Sequence, residues 1–359
     1  MTDEQAAGLP GSDRGPWWRQ ILSGLVTVVV LVLVFGFVIP QLADYGEIAD
    51  RLRGISAGWW FVLAASSIVF LAAYPIVLET VIRTLRYREA FVNHMTGTAI
   101  TNSLPSGGAI ALGLNYAMYL SWGLTPESVS AGMLAAGVWD WFGRISVPIL
   151  AVLVVALTGD ATTWMWILSI GGIAWVAFSV WLVLKLTSSE RAAAGIATWI
   201  DSVAKRISGW HSRPAPAAKE AVMRFRDELR SVIRTRTLPL TGATLLNHAA
   251  MAGLFVVSVY AVGVTPSLIP VAWVIAAFAL GRFLVMIPVS PGGLGLVDLG
   301  WLGLLTLGWE TSNAGIPADT DLIAAGVLLF RALSLLPPIP VGLAAWIFWR
   351  SIKSWRQDW

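Results

Sequence analysis

Several stretches of about twenty consecutive residues carry no charged side chain in their interior, and this feature restricts the possible folds more than any other. A helix of that length crosses the hydrocarbon core of a bilayer, which is about 30 Å thick. The 359-residue chain is 57% apolar and 13% charged, about half the charged fraction of an average soluble protein. We therefore expect an all-α polytopic membrane protein. The composition excludes a soluble enzyme, a nucleic-acid-binding module and a disordered scaffold.

The residue types that hold metals and cofactors are scarce. The chain has no cysteine, and its three histidines, His94, His211 and His248, are too scattered in sequence to suggest a metal cluster. The Gly-rich signals of nucleotide binding, a Walker sequence or GxGxxG, do not occur. We therefore expect no metal, no cofactor and no ATP-driven step.

Six apolar windows are long enough for full transmembrane helices. They fall at residues 20–40, 58–80, 128–158, 163–186, 241–262 and 321–349. Two further apolar segments, 95–122 and 268–309, are interrupted by Pro and Gly, and each half is too short to cross alone. A Pro-Gly-Gly break frees backbone polar groups that lipid cannot satisfy. We therefore predict two re-entrant helical hairpins whose breaks lie near mid-membrane and line a polar cavity.

The distribution of positive charge tests this topology through the positive-inside rule. If the N-terminus is cytoplasmic and each hairpin returns to its own side, 19 of the 24 Lys and Arg residues lie in the cytoplasm. Only Arg51 and Arg53 fall outside, and Arg144, Arg282 and Arg331 fall within apolar windows. Both termini are therefore predicted to be cytoplasmic.

Two polar parts stand apart from the apolar windows. Residues 1–16 are polar and contain Gly and Pro, so we expect a disordered cytoplasmic tail. The remainder, 17–359, is expected to form a single transmembrane domain. Within it, residues 187–238 form the only sizeable cytoplasmic loop, and apolar residues recur there at helical spacing on both sides of a break at 210–216. Two basic amphipathic helices on the inner leaflet fit this pattern.

The two halves of the chain repeat the same order of elements. The glycine pairs Gly107-Gly108 and Gly292-Gly293 are each followed by a helix with an Ala-Ala-Gly sequence, and an arginine comes 36 or 38 residues after the second glycine. The predicted topology places one hairpin on the inside and the other on the outside, so the copies are inverted. Secondary transporters commonly use inverted repeats whose broken helices meet at the midplane.

Charged residues inside the apolar windows are the leading site candidates, because charge is costly in a bilayer and usually functional there. Asp140 precedes Arg144 by four residues, which favours an ion pair that either binds substrate or ties helices together. Arg331 has no carboxylate three or four residues before it, so its partner is Asp298 or a substrate anion. We expect Arg331 to be the principal anion ligand. Asp298 is expected to bind a cationic group or to pair with Arg282 or Arg331.

The glycine breaks are the second candidate feature. Where a half-helix begins after Gly108 or Gly293, free backbone N–H groups and the positive end of the helix dipole suit an anion. Glycine also lets a headgroup approach the backbone closely. We therefore place Gly107, Gly108, Gly292 and Gly293 in the substrate site, while a packing bend without a ligand stays open as the alternative.

A known family resembles this chain in these same places. The flippase-like transmembrane domain of bacterial lysylphosphatidylglycerol synthase is similar in four features: Pro105-Ser106-Gly107-Gly108, the Asp140 and Arg144 helix, the stretch from Pro288 to Gly295 with Asp298, and the Arg331 helix. The resemblance covers about residues 20–350. Its most specific part is the Ser-Pro-Gly-Gly-Leu-Gly-x-x-Asp stretch that begins at Ser290, which therefore joins the candidate site. Relatives usually carry Glu where this chain has Asp298.

The resemblance implies a protein of the bacterial plasma (inner) membrane that moves lipid between leaflets, often as a homodimer. The implied substrates are aminoacylated phospholipids or related polyprenyl or glycolipid carriers. The resemblance does not extend to the soluble aminoacyl-transfer domain of the full-length synthase, so we expect no lipid synthesis by these 359 residues, and a neighbouring lipid synthase is a candidate partner. Relatives often place an acidic residue and an arginine shortly after the first hairpin break, where residues 109–116 offer only Asn115. Lysylphosphatidylglycerol therefore does not follow as the substrate.

Two other functions stay open from the sequence. A membrane-embedded glycosyl- or phospho-transferase with a lipid carrier needs acidic residues in an outer loop, where Asp44, Glu47 and Asp50 form the available cluster. A non-transporting partner subunit of a lipid synthase is the other. We expect a transporter rather than an enzyme.

Overall fold

The computed structural model describes residues 45–82, 84–104, 107–157, 163–188, 195, 215–284 and 295–352. Within these ranges every regular element is a helix, which confirms the all-α prediction for this part of the chain. The predicted tail at 1–16 and the first apolar window at 20–40 fall outside the described residues.

The helices of the described part pack into one bundle. In chain order they are α1 (Tyr45–Arg53), α2 (Ala57–Val81), α3 (Tyr87–Ser103), α4 (Gly107–Ser121), α5 (Pro126–Leu157), α6 (Thr163–Ser188), α7 (Ala215–Ala261), α8 (Val271–Leu284), α9 (Leu296–Ser312), α10 (Thr320–Leu335) and α11 (Pro338–Ser351).

The lengths and side chains of these helices suit a bilayer. Among the described residues, three segments are long and apolar enough to cross a membrane: Ala57–Val81, Thr235–Ala261 and Thr320–Ser351. Helices α5 and α6 coincide with the windows predicted at 128–158 and 163–186. Along α6 the large apolar side chains Ile167 and Ile170 are about two-thirds exposed, at 66% and 65%, a surface that lipid covers at no cost. The protein is therefore embedded in a membrane.

Both interrupted segments fold as pairs of antiparallel helices. In the first pair, α3 and α4, the Asn93 side chain donates to the backbone oxygen of Asn115 at 3.0 Å. In the second pair, α8 and α9, the Asn313 side chain donates to the oxygen of Leu268 at 2.7 Å. Arms of 14 to 17 residues are about 21–26 Å long, shorter than a bilayer core of ~30 Å. The break at 285–294 lies outside the described residues.

Helices α2 and α7 form an antiparallel pair within the bundle. Near one end, Arg236 of α7 donates to the backbone oxygen of Thr80, close to the end of α2. At the other end, Trp59 at the start of α2 and Ala261 at the end of α7 line the same groove. The helix that precedes each hairpin therefore runs against its counterpart, as an inverted repeat requires.

The open ends of the two hairpins lie at opposite ends of this pair. One apolar cluster joins Val81, at the end of α2, to Leu85 and Leu124, which flank the α3–α4 hairpin. Another cluster joins Ile55, just before α2, to Ile269, just before α8. The described open ends of the two hairpins therefore lie toward opposite ends of the α2–α7 pair.

Each hairpin packs against a helix that comes after the other hairpin in the chain. Helix α3 lies on α11, the second helix after the α8–α9 hairpin, and α8 lies on α5, the first helix after the α3–α4 hairpin. The α3–α11 contact is close because Gly342 lacks a side chain, and a Cβ there would lie 2.5 Å from that of Ala99. At the open end of the first hairpin, Trp349 of α11 donates to the hydroxyl of Ser121 at 3.1 Å. The two halves of the chain are thus interlocked.

The last apolar window, 321–349, was predicted to be one helix and is two. Helix α10 ends at Leu335, and α11 begins at Pro338. Pro337 and Pro338 have no backbone N–H, so the bonds to the preceding turn are lost. The side chain of Asn102, at the tip of the first hairpin, donates instead to the oxygen of Leu335 at 3.1 Å. The prolines create a further helix break beside the hairpin tip.

Helix α7 carries the second half of the predicted 187–238 loop into the membrane without interruption. It runs for 47 residues, from Ala215 to Ala261, with Pro239 inside it. The first half of the loop, apart from its few described residues, lies outside the structure's described ranges. The boundary expected near residue 238 is therefore a position within one helix and not a helix end.

Candidate functional site

A cavity of about 560 Å³ lies beside the tip of the first hairpin. Helices α2, α3, α4, α5, α7, α8 and α10 contribute to its wall, together with the first residue of α11. The cavity brings together six of the residues predicted from sequence: Gly108, Asn115, Asp140, Arg144, Arg282 and Arg331. Residues from both halves of the chain therefore meet at one site.

The predicted pair of Asp140 and Arg144 forms within α5. Nε of Arg144 donates to Oδ2 of Asp140 at 2.6 Å, and both side chains are partly buried. The other carboxylate oxygen lies 3.7 Å from Nε2 of His248 on α7. Gly143 permits this approach, because a Cβ there would lie 2.5 Å from Cδ2 of the His248 ring and closer still to its Nε2. Asp140 therefore holds Arg144 and lies close to α7.

Arg331 on α10 is held by Asp298 from α9. Its Nε donates to Oδ1 of Asp298, and its guanidinium lies over the ring of Trp301, 4.6 Å from the ring centre. The second carboxylate oxygen accepts from the N–H of Gly295 at 2.8 Å. The sequence left Asp298 and a substrate anion as alternative partners of Arg331, and the structure gives Asp298 as a protein partner. Its role as an anion ligand stays a prediction.

Arg282, near the end of α8, is placed differently. It lines the cavity, its Nε atom is buried, and that atom has no hydrogen-bond partner in the described ranges. Its charged neighbours are Arg144, Asp140 and Arg331. Arg144 and Arg331 each have a carboxylate within hydrogen-bond distance, whereas none of the described carboxylates forms an ion pair with Arg282. Arg282 is therefore the least compensated cation of the cavity.

The two glycines at the start of α4 have different surroundings. Gly107 is buried, and a Cβ there would lie 2.9 Å from Cα of Thr101 and closer still to the oxygen of Ile100. Gly108 lines the cavity, and a Cβ there would have nothing within 4 Å. Gly107 therefore serves the tight packing of the hairpin tip, while Gly108 leaves open space at the start of a helix.

Helix α4 presents the amide side chain of Asn115 to the cavity. Its Oδ1 is buried and has no hydrogen-bond partner among the described residues. Gly97 on α3 makes room for it, because a Cβ there would lie 2.9 Å from Oδ1. A side-chain amide can both donate and accept, so Asn115 can bind a headgroup hydroxyl or phosphate oxygen.

The second glycine break cannot be placed in the same way. Ser290, Gly292 and Gly293 lie within 285–294, outside the described part of the chain, and their site role stays a prediction. The structure resumes at Gly295, whose φ of 88° lies in the region that favours glycine. This turn starts α9 and brings Asp298 to Arg331.

The structure adds polar cavity residues that the sequence did not place in the site. His94 and Tyr74 both line the cavity, and the centres of their rings are 4.5 Å apart. Asn102 and Asn247 line the cavity as well. A signal was present, since an apolar helix rarely has so many polar residues so close together. In α3 these are Asn93, His94, Thr96, Thr98, Thr101 and Asn102.

The cavity wall is chemically divided. Arginine, amide and carboxylate groups lie together, and apolar side chains such as Phe70, Leu71 and Leu112 form the rest of the lining. Guanidinium groups bind phosphate or carboxylate oxygens through paired hydrogen bonds. Such a wall can hold a charged headgroup and part of an apolar chain at the same time.

Comparisons with known proteins identify the family of this chain. The family described as the lysylphosphatidylglycerol synthase TM region matches residues 20–342, a range that contains both hairpins and the cavity arginines. A protein of Methanothermobacter thermautotrophicus (strain Delta H), named UPF0104 membrane protein, is 26% identical over 290 residues, which cover 77% of this chain and 81% of that protein. The chain belongs to the lysylphosphatidylglycerol synthase TM region family.

Proposed function

We propose that the protein is a flippase that moves an anionic or aminoacylated phospholipid, or a polyprenyl-linked lipid, between membrane leaflets without ATP. The observation that carries this proposal is the cavity of about 560 Å³, where arginines from α5, α8 and α10 line one wall together with residues of the α3–α4 hairpin. We place the protein in the bacterial plasma membrane, with both termini in the cytoplasm.

A charged headgroup cannot cross hydrocarbon unaided, because an unpaired charge or polar group is costly there. The arginines and Asn115 give a headgroup hydrogen-bonding partners, and the start of α4 at Gly108 adds the positive end of a helix dipole. The acyl or prenyl chains meanwhile lie against the apolar part of the lining and in the surrounding lipid. The cavity therefore offers polar partners to the headgroup while the chains keep an apolar environment.

The opposite placement of the two open ends supplies a means of alternating access. In transporters with inverted repeats, the two repeats rock around a fixed midplane site. Here each hairpin packs on a helix of the other half, α3 on α11 and α8 on α5, so a hairpin moves together with that helix. The homodimer and the neighbouring lipid synthase implied by the family resemblance stay predictions.

Leaflet exchange in liposomes tests the proposal directly. The purified protein is reconstituted without nucleotide into liposomes with a trace of acyl-labelled fluorescent phospholipid, and dithionite quenches the label in the outer leaflet. We expect the protected inner-leaflet label to become accessible over time. Rates equal to those of protein-free liposomes, for anionic, zwitterionic and aminoacylated lipids alike, contradict the proposal.

Of the acidic cluster on which the transferase alternative depends, Glu47 and Asp50 are described, and they line one groove with Arg51. Among the described residues no group of three or more His, Cys, Asp or Glu side chains could hold a metal ion. Asp50 is paired with Arg53 at 2.8 Å, and Asp319 is paired with Arg51 at 3.2 Å. Asp44 lies outside the described residues. Product formation from a lipid carrier by the purified protein is the result that would favour an enzyme.

A further inference from the structure

The permanent charges of the cavity do not balance. Arg144 and Arg331 each form an ion pair, with Asp140 and Asp298 respectively. Arg282 has a buried Nε without a hydrogen-bond partner in the described ranges, and its nearest charged neighbours include two arginines. Among the described residues of the cavity wall and their ion-pair partners, three guanidinium groups therefore meet two carboxylates, which leaves the charge of Arg282 without an ion-pair partner.

The Arg282 side chain is partly buried in the cavity wall, with its Nε fully buried, and a charge that loses water without gaining a partner is destabilising. Arg282 cannot shed this cost by deprotonation, because an arginine side chain stays protonated in proteins. This arginine nevertheless lines the same cavity as Gly108, which has open space around it, and Asn115, whose Oδ1 has no hydrogen-bond partner among the described residues. The natural partner is a single negative charge that arrives with the occupant.

We propose that the cavity selects lipids whose headgroup carries a net charge of −1, a phosphodiester without a compensating cation, and that Arg282 binds its phosphate. This inference rests on the proposed function and narrows its substrate class. A zwitterionic headgroup leaves the uncompensated charge in place. A lysine-esterified phosphatidylglycerol, with a net charge of +1, increases it.

Charge alone does not separate two sources of such a phosphodiester. Phosphatidylglycerol supplies one on a diacyl anchor, and a polyprenyl-phosphoryl sugar supplies one on an isoprenoid anchor. Both present two non-bridging oxygens that share one negative charge, which a guanidinium can hold through paired hydrogen bonds. The experiment therefore tests separately whether the site accepts the diacyl anchor or the isoprenoid anchor.

The first measurement compares leaflet exchange in phosphatidylcholine liposomes of acyl-labelled phosphatidylglycerol, phosphatidylcholine and lysylphosphatidylglycerol. We expect wild type to move phosphatidylglycerol about tenfold faster than the other two, since a charge-assisted hydrogen bond contributes that much or more. Arg282→Gln lowers the phosphatidylglycerol rate to that of phosphatidylcholine. Arg282→Lys keeps the charge but loses the paired geometry, and retains part of the preference. Excess unlabelled polyprenyl-phosphoryl sugar slows the labelled lipid only if the site also accepts that anchor.

Arg350→Gln is the matched control, because it also removes one positive charge from the chain. Arg350 lies at the exposed end of α11, outside the cavity lining, where it stacks on Trp346. We expect this variant to keep the wild-type preference. Equal exchange of all three lipids by wild type, or fastest exchange of lysylphosphatidylglycerol, overturns the charge selection but leaves the flippase intact.

A second measurement does not depend on transport. In neutral detergent without lipid, Arg282→Gln should unfold at the same temperature as wild type or higher, because it removes an uncompensated charge. Short-chain phosphatidylglycerol should raise the unfolding temperature of wild type but not that of the variant. A variant less stable than wild type in lipid-free detergent shows that the protein itself compensates Arg282 and overturns the inference. If no lipid exchanges but this stabilisation by phosphatidylglycerol is seen, the proposed transport fails while the anion site stands.

Discussion

Arg144, Arg282 and Arg331 carry the same guanidinium group, and their neighbours make them different residues. Asp140 holds Arg144 from within the same helix, and Asp298 holds Arg331 from another helix. The protein partner of Arg331 lies 33 residues away in sequence, so helical spacing could not identify it. At the scale of single residues, function depends on which charge each arginine already meets.

The pair of Asp298 and Arg331 should behave as a buried unit. Asp298→Asn leaves the guanidinium buried without its carboxylate, which costs about 3–5 kcal/mol. Adding Arg331→Gln should recover much of this loss, because neither charge then remains. Thermal unfolding of the two single variants and the double variant in detergent measures the coupling.

Asp50→Asn is the control for this double-mutant cycle. Asp50 and Arg53 form an ion pair whose side chains are 73% and 79% exposed. An exposed pair contributes little, so we expect a negligible change in unfolding temperature. Additive effects of the two buried substitutions would show that the contact does not stabilise the fold.

Substitution of neighbouring glycines should separate packing from binding. Gly107→Val forces a side chain against the backbone of Ile100 and Thr101, and overpacking of this kind costs about 1–3 kcal/mol or more. Gly108→Val places its side chain in open space on the cavity wall, so the unfolding temperature should change little while lipid exchange slows. Thermal unfolding and liposome exchange are measured on both variants. An equal loss of stability in Gly107→Val and Gly108→Val would show that Gly108 serves packing and not binding.

At the scale of helices, glycine and proline set how the elements meet. Proline ends α10 at Leu335, and the tip of the first hairpin satisfies the carbonyl that is left. Glycine lets α3 and α11 approach closely at Gly342, in the manner of small residues at membrane helix contacts. The first hairpin is therefore fixed to α11 along its length.

Gly342→Ala should weaken this contact, since the added Cβ meets the backbone of Met95 and lies 2.5 Å from Cβ of Ala99. Gly253→Ala in α7 is the matched control, because a Cβ there has nothing within 4 Å. An alanine in a helix is usually more stable than glycine by about 0.5–1 kcal/mol. We expect the unfolding temperature to fall for Gly342→Ala and to stay level or rise for Gly253→Ala. A shift of the same sign in both variants would rule out close packing as the reason for Gly342.

At the scale of the whole molecule, the opposed hairpins predict opposite sidedness for their open ends. The chain has no cysteine, so single introduced cysteines report position without background. Thr125→Cys and Thr265→Cys replace exposed threonines beside the first and second hairpins. Labelling of intact cells with an impermeant maleimide should reach residue 265 and not residue 125. Ser351→Cys, near the predicted cytoplasmic C-terminus, serves as the protected control, and labelling of 125 and 265 from the same side contradicts the inverted arrangement.

The membrane class, the two interrupted segments and the pair of Asp140 and Arg144 followed from the sequence, because they depend on local properties. Hydropathy over twenty residues decides whether a segment suits lipid, Pro and Gly interrupt helices where they occur, and residues four apart share a helix face. The break at Pro337 was also local, but the apolar side chains around it hid it within a single window.

The tertiary structure decided what depends on contacts between distant segments. It paired Asp298 with Arg331, left Arg282 without a described carboxylate partner, and turned the polar face of α3 toward the cavity. The spacing of residues along the chain does not reveal these contacts, because they join side chains on different helices and depend on how those helices pack together. The sequence therefore determined which charges enter the membrane, and only the packing of the helices determined which of them are compensated there.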